Sequence, residues 1–345
     1  PYPRNLTSPT YEYNEATQSW KPKTHYPIGD LKPERTDSWE VGLDMKLFKD
    51  FNLGLSWYLA NTFNQTFDPQ ISVSSGYTTI YLQTGYVRNT GLELSLGYGH
   101  TWNNNFRWDS NFTLSHNKNK IKELVRDYVH PETGELINKD RLDVGGLGKA
   151  RFILKEGGTL GDLYTQSDLK RDDNGMVDID PTGIVAIENN LPDIKLGSVF
   201  PKANLAWSNH FSWKGISLSA LFTARIGGIV YSATEAAMDQ YGVSERSALA
   251  RDNGGVLVNN RTLVDAQNYY TTIGSESGLP QYYTYNATNV RLQEASIGYL
   301  IPRKWLGNVC DIQVSVIGRN LWMIYNKAPF DPESVATTDN YYQGI

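Results

Sequence analysis

Cysteine is nearly absent. One residue of this type, Cys310, occurs among 345, so no internal disulfide framework and no cysteine-based zinc site can form. Long apolar runs are absent as well. No window approaches the roughly 18 consecutive apolar residues of a membrane-spanning helix, yet a barrel wall stays possible, because alternation hides its apolarity. No long basic run is present and the net charge is −5, which argues against nucleic acid as a partner. The five histidines, His25, His100, His116, His130 and His210, contain no i,i+4 pair, so a zinc helix is not encoded. Helical periodicity is scarce, apart from a possible short turn at "SATEAAMDQY" (232–241). Hydrophobic residues make up 40% and charged residues 20%, which excludes disordered and collagen-like classes.

What is present is alternation. In "SWEVGLDMKLF" (38–48), Trp39, Val41, Leu43, Met45 and Leu47 alternate with polar or small residues, the period of a strand with one apolar and one wet face. The pattern recurs at 51–63, 86–102, 106–118, 200–213, 216–230, 288–300 and 310–322, with a shorter pair at 148–155 and 159–170. Within each hairpin the link is short: "KD", "NNN", "EGG", "KG" or "IPRKWLGNV". Between hairpins the links are long: 64–85, 119–147, 171–199 and 231–287. Short turns at one end and long loops at the other, on strands of roughly ten residues, describe an outer-membrane barrel. About ten strands are expected, with the apolar face toward lipid and the polar face toward a lumen. Leu43, Leu55, Leu94 and Leu218 should face lipid, and Asp44, Ser56, Ser95 and Ser219 the lumen. Phe48, Phe51, Trp102, Phe106, Trp108, Phe211, Trp213 and Trp305 crowd the short turns, either as an interfacial girdle or simply as good strand formers. In "NVRLQEASIGYLI" the apolar parity changes between Leu292 and Ala295, which predicts a β-bulge near Gln293 or Glu294.

Catalytic and metal motifs fail one by one. "GGLGKA" (145–150) has Asp143 where a phosphate loop needs its first glycine, and Ala150 where it needs a hydroxyl. "GSESG" (274–278) puts Glu276 at the place of a nucleophilic serine. No enzyme and no cofactor are expected. "DDNGMVDID" (172–180) does not align with a calcium loop; it reads as a plain acidic hairpin or as irregular calcium coordination by Asp172, Asp178 and Asp180. The 231–287 loop is the recognition candidate. It carries Tyr241, Tyr269, Tyr270, Tyr282, Tyr283 and Tyr285 with Asn259, Asn260 and Arg261. Rings beside amides and charges suit sugars, which present apolar faces ringed by hydroxyls. The same tyrosines could instead pin the loop to itself or to a partner.

Seven segments in order carry a resemblance: "LKPERTDSWEVGLDMKLF", "GYVRNTGLELSLGY", "FRWDSNFTLSHNKNKI", "EGGTLGDLYTQSDL", "FPKANLAWSNHFSWKGISLSALFTARIGGIVY", "NVRLQEASIGYLIP" and "VIGRNLWMIYNKAPFDPES". Together they resemble the C-terminal barrel of SusC-type (SusC/RagA) TonB-dependent transporters. The resemblance implies an all-β fold, a transmembrane antiparallel β-barrel of 22 strands of which this chain supplies a part. It implies residence in the Gram-negative outer membrane, among its lipids. It further implies glycan import, a SusD-type lipoprotein as lid, and coupling to the TonB complex through an N-terminal part and plug domain not contained in this chain. Residues 1–35 are then an extracellular segment and 36–345 barrel, with extracellular loops 64–85, 119–147, 171–199, 231–287 and 323–345. Importers of peptides, siderophores or cobalamin, and a soluble carbohydrate-binding β-protein, are the alternatives. Neither end of the chain resembles a finished terminus, so an internal segment of a longer protein is expected, one that does not fold alone.

Overall fold

The computed structural model describes residues 33–67, 82–102, 105–129, 136–333 and Gly134, with short strands at 11–14, 19–22, 25–26 and 79–80. Parts of the expected segment 1–35 and of loops 64–85 and 323–345 lie outside these residues. In chain order the principal strands are β1 (Arg35–Leu47), β2 (Phe51–Phe67), β3 (Leu82–Thr101), β4 (Arg107–Glu123), β5 (Arg141–Leu147), β6 (Ala150–Lys155), β7 (Asp162–Thr165), β8 (Ile194–Ser198), β9 (Ala203–Trp213), β10 (Ile216–Ile226), β11 (Asn289–Ile301) and β12 (Ile312–Asn326). Four helices lie between β10 and β11: α1 (Ala233–Gln240), α2 (Glu245–Asp252), α3 (Ala266–Gly274) and α4 (Pro280–Tyr283).

Eight strands form one antiparallel wall in the order β12-β11-β10-β9-β4-β3-β2-β1. Directly opposed residues share a face, so the register can be read across it. Leu43, Leu55, Leu94, Leu114 and Leu205 form one apolar row, and Met45, Leu53, Leu96, Phe112, Trp207, Phe222, Leu292 and Trp322 another. Between them on the opposite face runs Asp44, Gly54, Ser95, Thr113, Ala206, Thr223 and Arg291. Leu218 lies with the apolar set and Ser219 with the polar set, so the expected division onto two faces holds. Trp39 and Val41 are 73% and 69% exposed, as residues meant for lipid must be. The bulge is also present: Leu221 pairs with Glu294 and Phe222 with Leu292, leaving Gln293 as the extra residue.

Turn chemistry sets the tight ends. Lys214 and Gly215 both take positive φ (49° and 88°), the two-residue connection whose twist matches paired strands. Around these ends the aromatics touch: Phe51 and Tyr98 at 4.8 Å, Tyr98 and Trp108 at 5.2 Å, Trp102 and Phe106 at 5.3 Å, Trp108 and Phe211 at 5.9 Å between ring centroids. Two polar residues sit among them on the apolar face, Ser110 and Asn209, paired across β4 and β9. Each is capped by an indole from the other strand: Trp207 Nε1 donates to Ser110 Oγ (2.9 Å) and Trp108 Nε1 to Asn209 Oδ1 (3.1 Å).

One expectation is corrected. The pair 148–155 and 159–170 does not belong to the wall, which among the described residues has eight strands and not ten. Its residues enter a separate four-stranded sheet, β5-β6-β7-β8. The reason is visible in β6: Phe152, Ile153 and Leu154 are all buried, an uninterrupted apolar run rather than an alternation, so both faces of the strand are covered. The expected loops 119–147 and 171–199 are therefore one excursion between β4 and β9. It packs on the polar face at the long-loop end, where Ile121 is fully buried and exchanges backbone hydrogen bonds with Gly157 and Gly158. The 231–287 segment is likewise folded. Ser232, Ser244 and Asp265 accept N–H groups from the first turns of α1, α2 and α3, and Ser232 with Glu235 has the capping-box spacing. A shared core including Phe152, Leu169, Val185, Ala236, Ile273 and Tyr283 joins both excursions.

Candidate functional site: a cleft in the folded loop

The junction of α1, α2 and α3 encloses a cleft of about 340 Å³, lined by Asp239, Gln240, Tyr241, Gly242, Ser247, Arg251, Ala266, Gln267, Tyr270 and Thr271. Its corner is built where α1 ends. The Tyr241 N–H donates to Ala237 O, and Gly242, at φ +68°, donates to Asp239 O. Arg251 Nη1 then holds the Gly242 carbonyl at 2.8 Å. The Tyr241 ring is left 76% exposed beside two glutamine side chains.

The cleft floor is rigid. Asp239 is fully buried and both its oxygens accept hydrogen bonds. Oδ1 takes Ser244 Oγ (2.5 Å) and Arg246 Nε (2.9 Å), while Oδ2 takes the Tyr283 hydroxyl (2.8 Å). The Arg246 guanidinium also lies 4.9 Å from the Tyr283 ring centre. A buried carboxylate this well paired holds its neighbours in place. Burial pushes the Tyr283 and Tyr269 hydroxyls above the ordinary phenol range, so both stay protonated donors.

The nine candidate residues of this loop therefore separate. Tyr241 is open at the cleft, and Tyr270 forms its buried wall. Tyr283 has no exposed surface; its ring is core and offers no platform. Tyr269, Tyr282 and Tyr285 are half-buried, with Tyr269 edge-on to Tyr270 and Tyr285 edge-on to Phe330. Asn259 is a strut: it donates to Val177 O and accepts from Val177 N. Asn260 and Arg261 are exposed at the tip of the 256–264 hairpin, and do not line the cleft.

The three aspartates of the calcium alternative are engaged in local hydrogen bonds and an ion pair. Asp172 Oδ1 accepts the N–H groups of Asn174 and Met176, Asp178 pairs with Lys170 at 2.6 Å, and Asp180 Oδ1 accepts Thr182 and Ile184. Thr182 and these N–H groups hold the Asp180 carboxyl below its usual range. Among the described residues no group of three or more His, Cys, Asp or Glu is placed to hold a metal ion. A pattern that sequence reading missed explains the region. "DDNGMVDI" (172–179) and "DPTGIVAI" (180–187) are consecutive copies of one octad. In both, the glycine takes positive φ (78° and 82°) and its N–H returns to the leading aspartate carbonyl at 2.9 Å. The eight-residue period was the available signal.

With this geometry in hand, comparison with known proteins is informative. A family profile described as "TonB dependent receptor-like, beta-barrel" matches residues 7–166. TonB-dependent receptor P3 of Formosa agariphila is 25% identical over 92% of this chain and 32% of its own length. Over those residues the chain is similar to the β-barrel of TonB-dependent receptors. Receptor P26 of the same organism is 26% identical over 59% of the segment. The fold matches the RagAB peptide transporter with a TM-score of 0.68 at 19% identity, covering 96% of the segment and 36% of that chain. A RagAB peptide importer in the "closed-closed" state gives 0.65 at 20% identity, covering 97% and 37%. The chain spans about a third of the length of these relatives.

Proposed function

We propose that the segment forms the C-terminal wall and a folded extracellular cap of an outer-membrane importer of glycans. The importer acts with a SusD-type surface lipoprotein and is driven by the TonB complex through parts of the protein beyond this chain. The observation carrying the glycan reading is the exposed Tyr241 ring at a cleft bordered by Gln240, Gln267 and Arg251. A flat ring suits the C–H face of a sugar, and side-chain amides with a guanidinium suit its hydroxyls. The second reading is peptide import. It is favoured by the fold shared with the RagAB proteins, which are described as peptide transporters, and the same amides could bind a peptide backbone.

The test uses the full-length transporter with its lipoprotein. Thermal shifts are measured across an oligosaccharide panel and a peptide panel, for wild type and Tyr241→Ala. The glycan reading expects stabilisation by a subset of oligosaccharides, with affinity weakened roughly five- to 150-fold in Tyr241→Ala by loss of about 1–3 kcal/mol of ring contact. Stabilisation by peptides alone would replace it with the second reading.

A further inference from the structure

The outer face of β4 changes character along its length. Trp108, Phe112 and Leu114 are followed, on the same face, by His116, Lys118 and Lys120. The inward set confirms this direction: Asn119 accepts the Leu160 N–H and Ile121 is fully buried, both against the β4–β9 excursion. Lys118 and Lys120 point the other way and are exposed. On β3, Arg88 lies directly opposite Lys120. Among the described residues Arg88 is braced by neutral groups: it donates to Asn61 Oδ1 and to the Tyr86 hydroxyl, and Tyr86 stacks on Phe63 at 4.7 Å. Lys122 extends the series at an irregularity of the β3–β4 register.

Among the described residues no carboxylate pairs with these cations. Asp37, in the same row, is forked by Arg35 at 2.8 and 2.6 Å. Glu123 lies opposite Tyr86, but among the described residues no carboxylate comes within 4.0 Å of Arg88, Lys118, Lys120 or Lys122. Like charges directly opposed across a strand pair are destabilising unless an anion sits between them. Height identifies the anion. Six residues from Leu114 to Lys120, at roughly 3.4 Å each on a strand tilted about 40°, rise roughly 15 Å above the leucine row. That is the headgroup level at the long-loop, extracellular side, directly above the lipid-facing band.

We propose that Arg88, Lys118 and Lys120 form a binding site for the phosphates of a phosphorylated glycolipid of the outer leaflet, whose acyl chains lie on the apolar rows beneath. An amphiphile matches both halves of the surface, basic above and apolar below. A soluble polyanion would match only the upper half. The site is on the outside of the wall, so it is independent of the nutrient cleft.

The experiment takes the full-length transporter, delipidated in detergent, and titrates bis-phosphorylated lipid A, its dephosphorylated form and phosphatidylglycerol. Native mass spectrometry reads bound lipid, and heat-modifiability reads the intact barrel. Wild type should prefer the bis-phosphorylated glycolipid at least tenfold over both other lipids. Lys118→Gln/Lys120→Gln should lose that preference while remaining heat-modifiable and keeping nutrient-induced thermal shifts. Unchanged binding in the double variant overturns the proposal, as does equal binding of the dephosphorylated form or of phosphatidylglycerol. Should the double variant assemble poorly, the three-lipid comparison on wild type alone still decides.

Discussion

Neighbouring residues on β3 offer a direct test of the wall. Leu94 lies in the row Leu43–Leu55–Leu94–Leu114–Leu205, and Ser95 lies one residue away on the opposite face, between Gly54 and Thr113. Replacing each by arginine in the full-length protein keeps composition and strand position constant and changes only the solvent met. On a lipid face near the bilayer midplane arginine costs about 2–4 kcal/mol, against far less in a watery lumen. The cost corresponds to a roughly thirty- to nine-hundredfold shift in the folded fraction at equilibrium. At Ser95 the surroundings are permissive, because Gly54 leaves room opposite and Asn111 already hydrogen-bonds the serine at 3.4 Å. Urea unfolding in lipid vesicles followed by tryptophan fluorescence, with heat-modifiability on gels, reads the difference. Leu94→Arg should assemble poorly and Ser95→Arg close to normally. Equal loss in both, or a greater loss for Ser95→Arg, would refute the facing and with it the lipid-exposed reading of every parity-matched residue.

Other perturbations reach different parts of the molecule. Asp193, forked by Arg141 at 2.6 and 2.8 Å and paired with Lys155 at 2.9 Å, has its carboxyl lowered from 3.8 to about 2, chiefly by the Arg141 hydrogen bonds. A depressed carboxyl contributes above its unfolded value, so about 2 kcal/mol should be present above about pH 4 and fade as pH falls toward 2. Hydrogen exchange at β7 should show that loss, and Asp193→Asn should show it already at neutral pH. Tyr283→Phe removes one donor from buried Asp239 and should destabilise the cap by about 1–3 kcal/mol, seen as faster exchange in α1 with heat-modifiability unchanged. Deleting Gln293 should be tolerated, since Leu292 and Glu294 already oppose adjacent residues of β10. Deleting Ile297 should abolish assembly by turning the following residues to the wrong face.

The wall was legible in the sequence because lipid on one side and water on the other impose a strict period of two. Even its fault was legible, since the parity change after Leu292 could be absorbed only by an extra residue. Alternation failed as a guide where both faces of a strand are covered. "RFILK" in β6 was assigned to the wall by position, although its unbroken apolar run belongs to a core. Apart from α1, read only as a short turn at 232–241, the helices escaped notice for a related reason. α1 to α3 are eight or nine residues long, too short for a persuasive apolar stripe, and they depend on caps and tertiary packing for stability. Their caps were nonetheless written in the sequence, at Ser232, Ser244 and Asp265. Of the loop residues chosen for their chemistry, Tyr241 and Tyr270 meet at a cleft. Tyr283 and Asn259 carry the same chemistry but spend it internally, a distinction that only the tertiary arrangement makes.

The crossed indole contacts of β4 and β9 have a further consequence. In the β1–β4 and β9–β12 halves, β1–β2, β3–β4 and β9–β10 are joined by tight connections that limit how far one strand can slide along the other. β4 and β9 are adjacent yet separated by the whole excursion from Glu123 to Ala203, so no turn measures their alignment. A slide of two residues would keep every apolar side chain on the lipid side and would pass unnoticed by the alternation alone. It would, however, strand Ser110 and Asn209 in hydrocarbon and leave both indole N–H groups without acceptors, each a loss of several kcal/mol in the absence of water. Two polar residues that look like blemishes on the greasy surface thus act as a vernier, letting the seam between the halves close at a single setting.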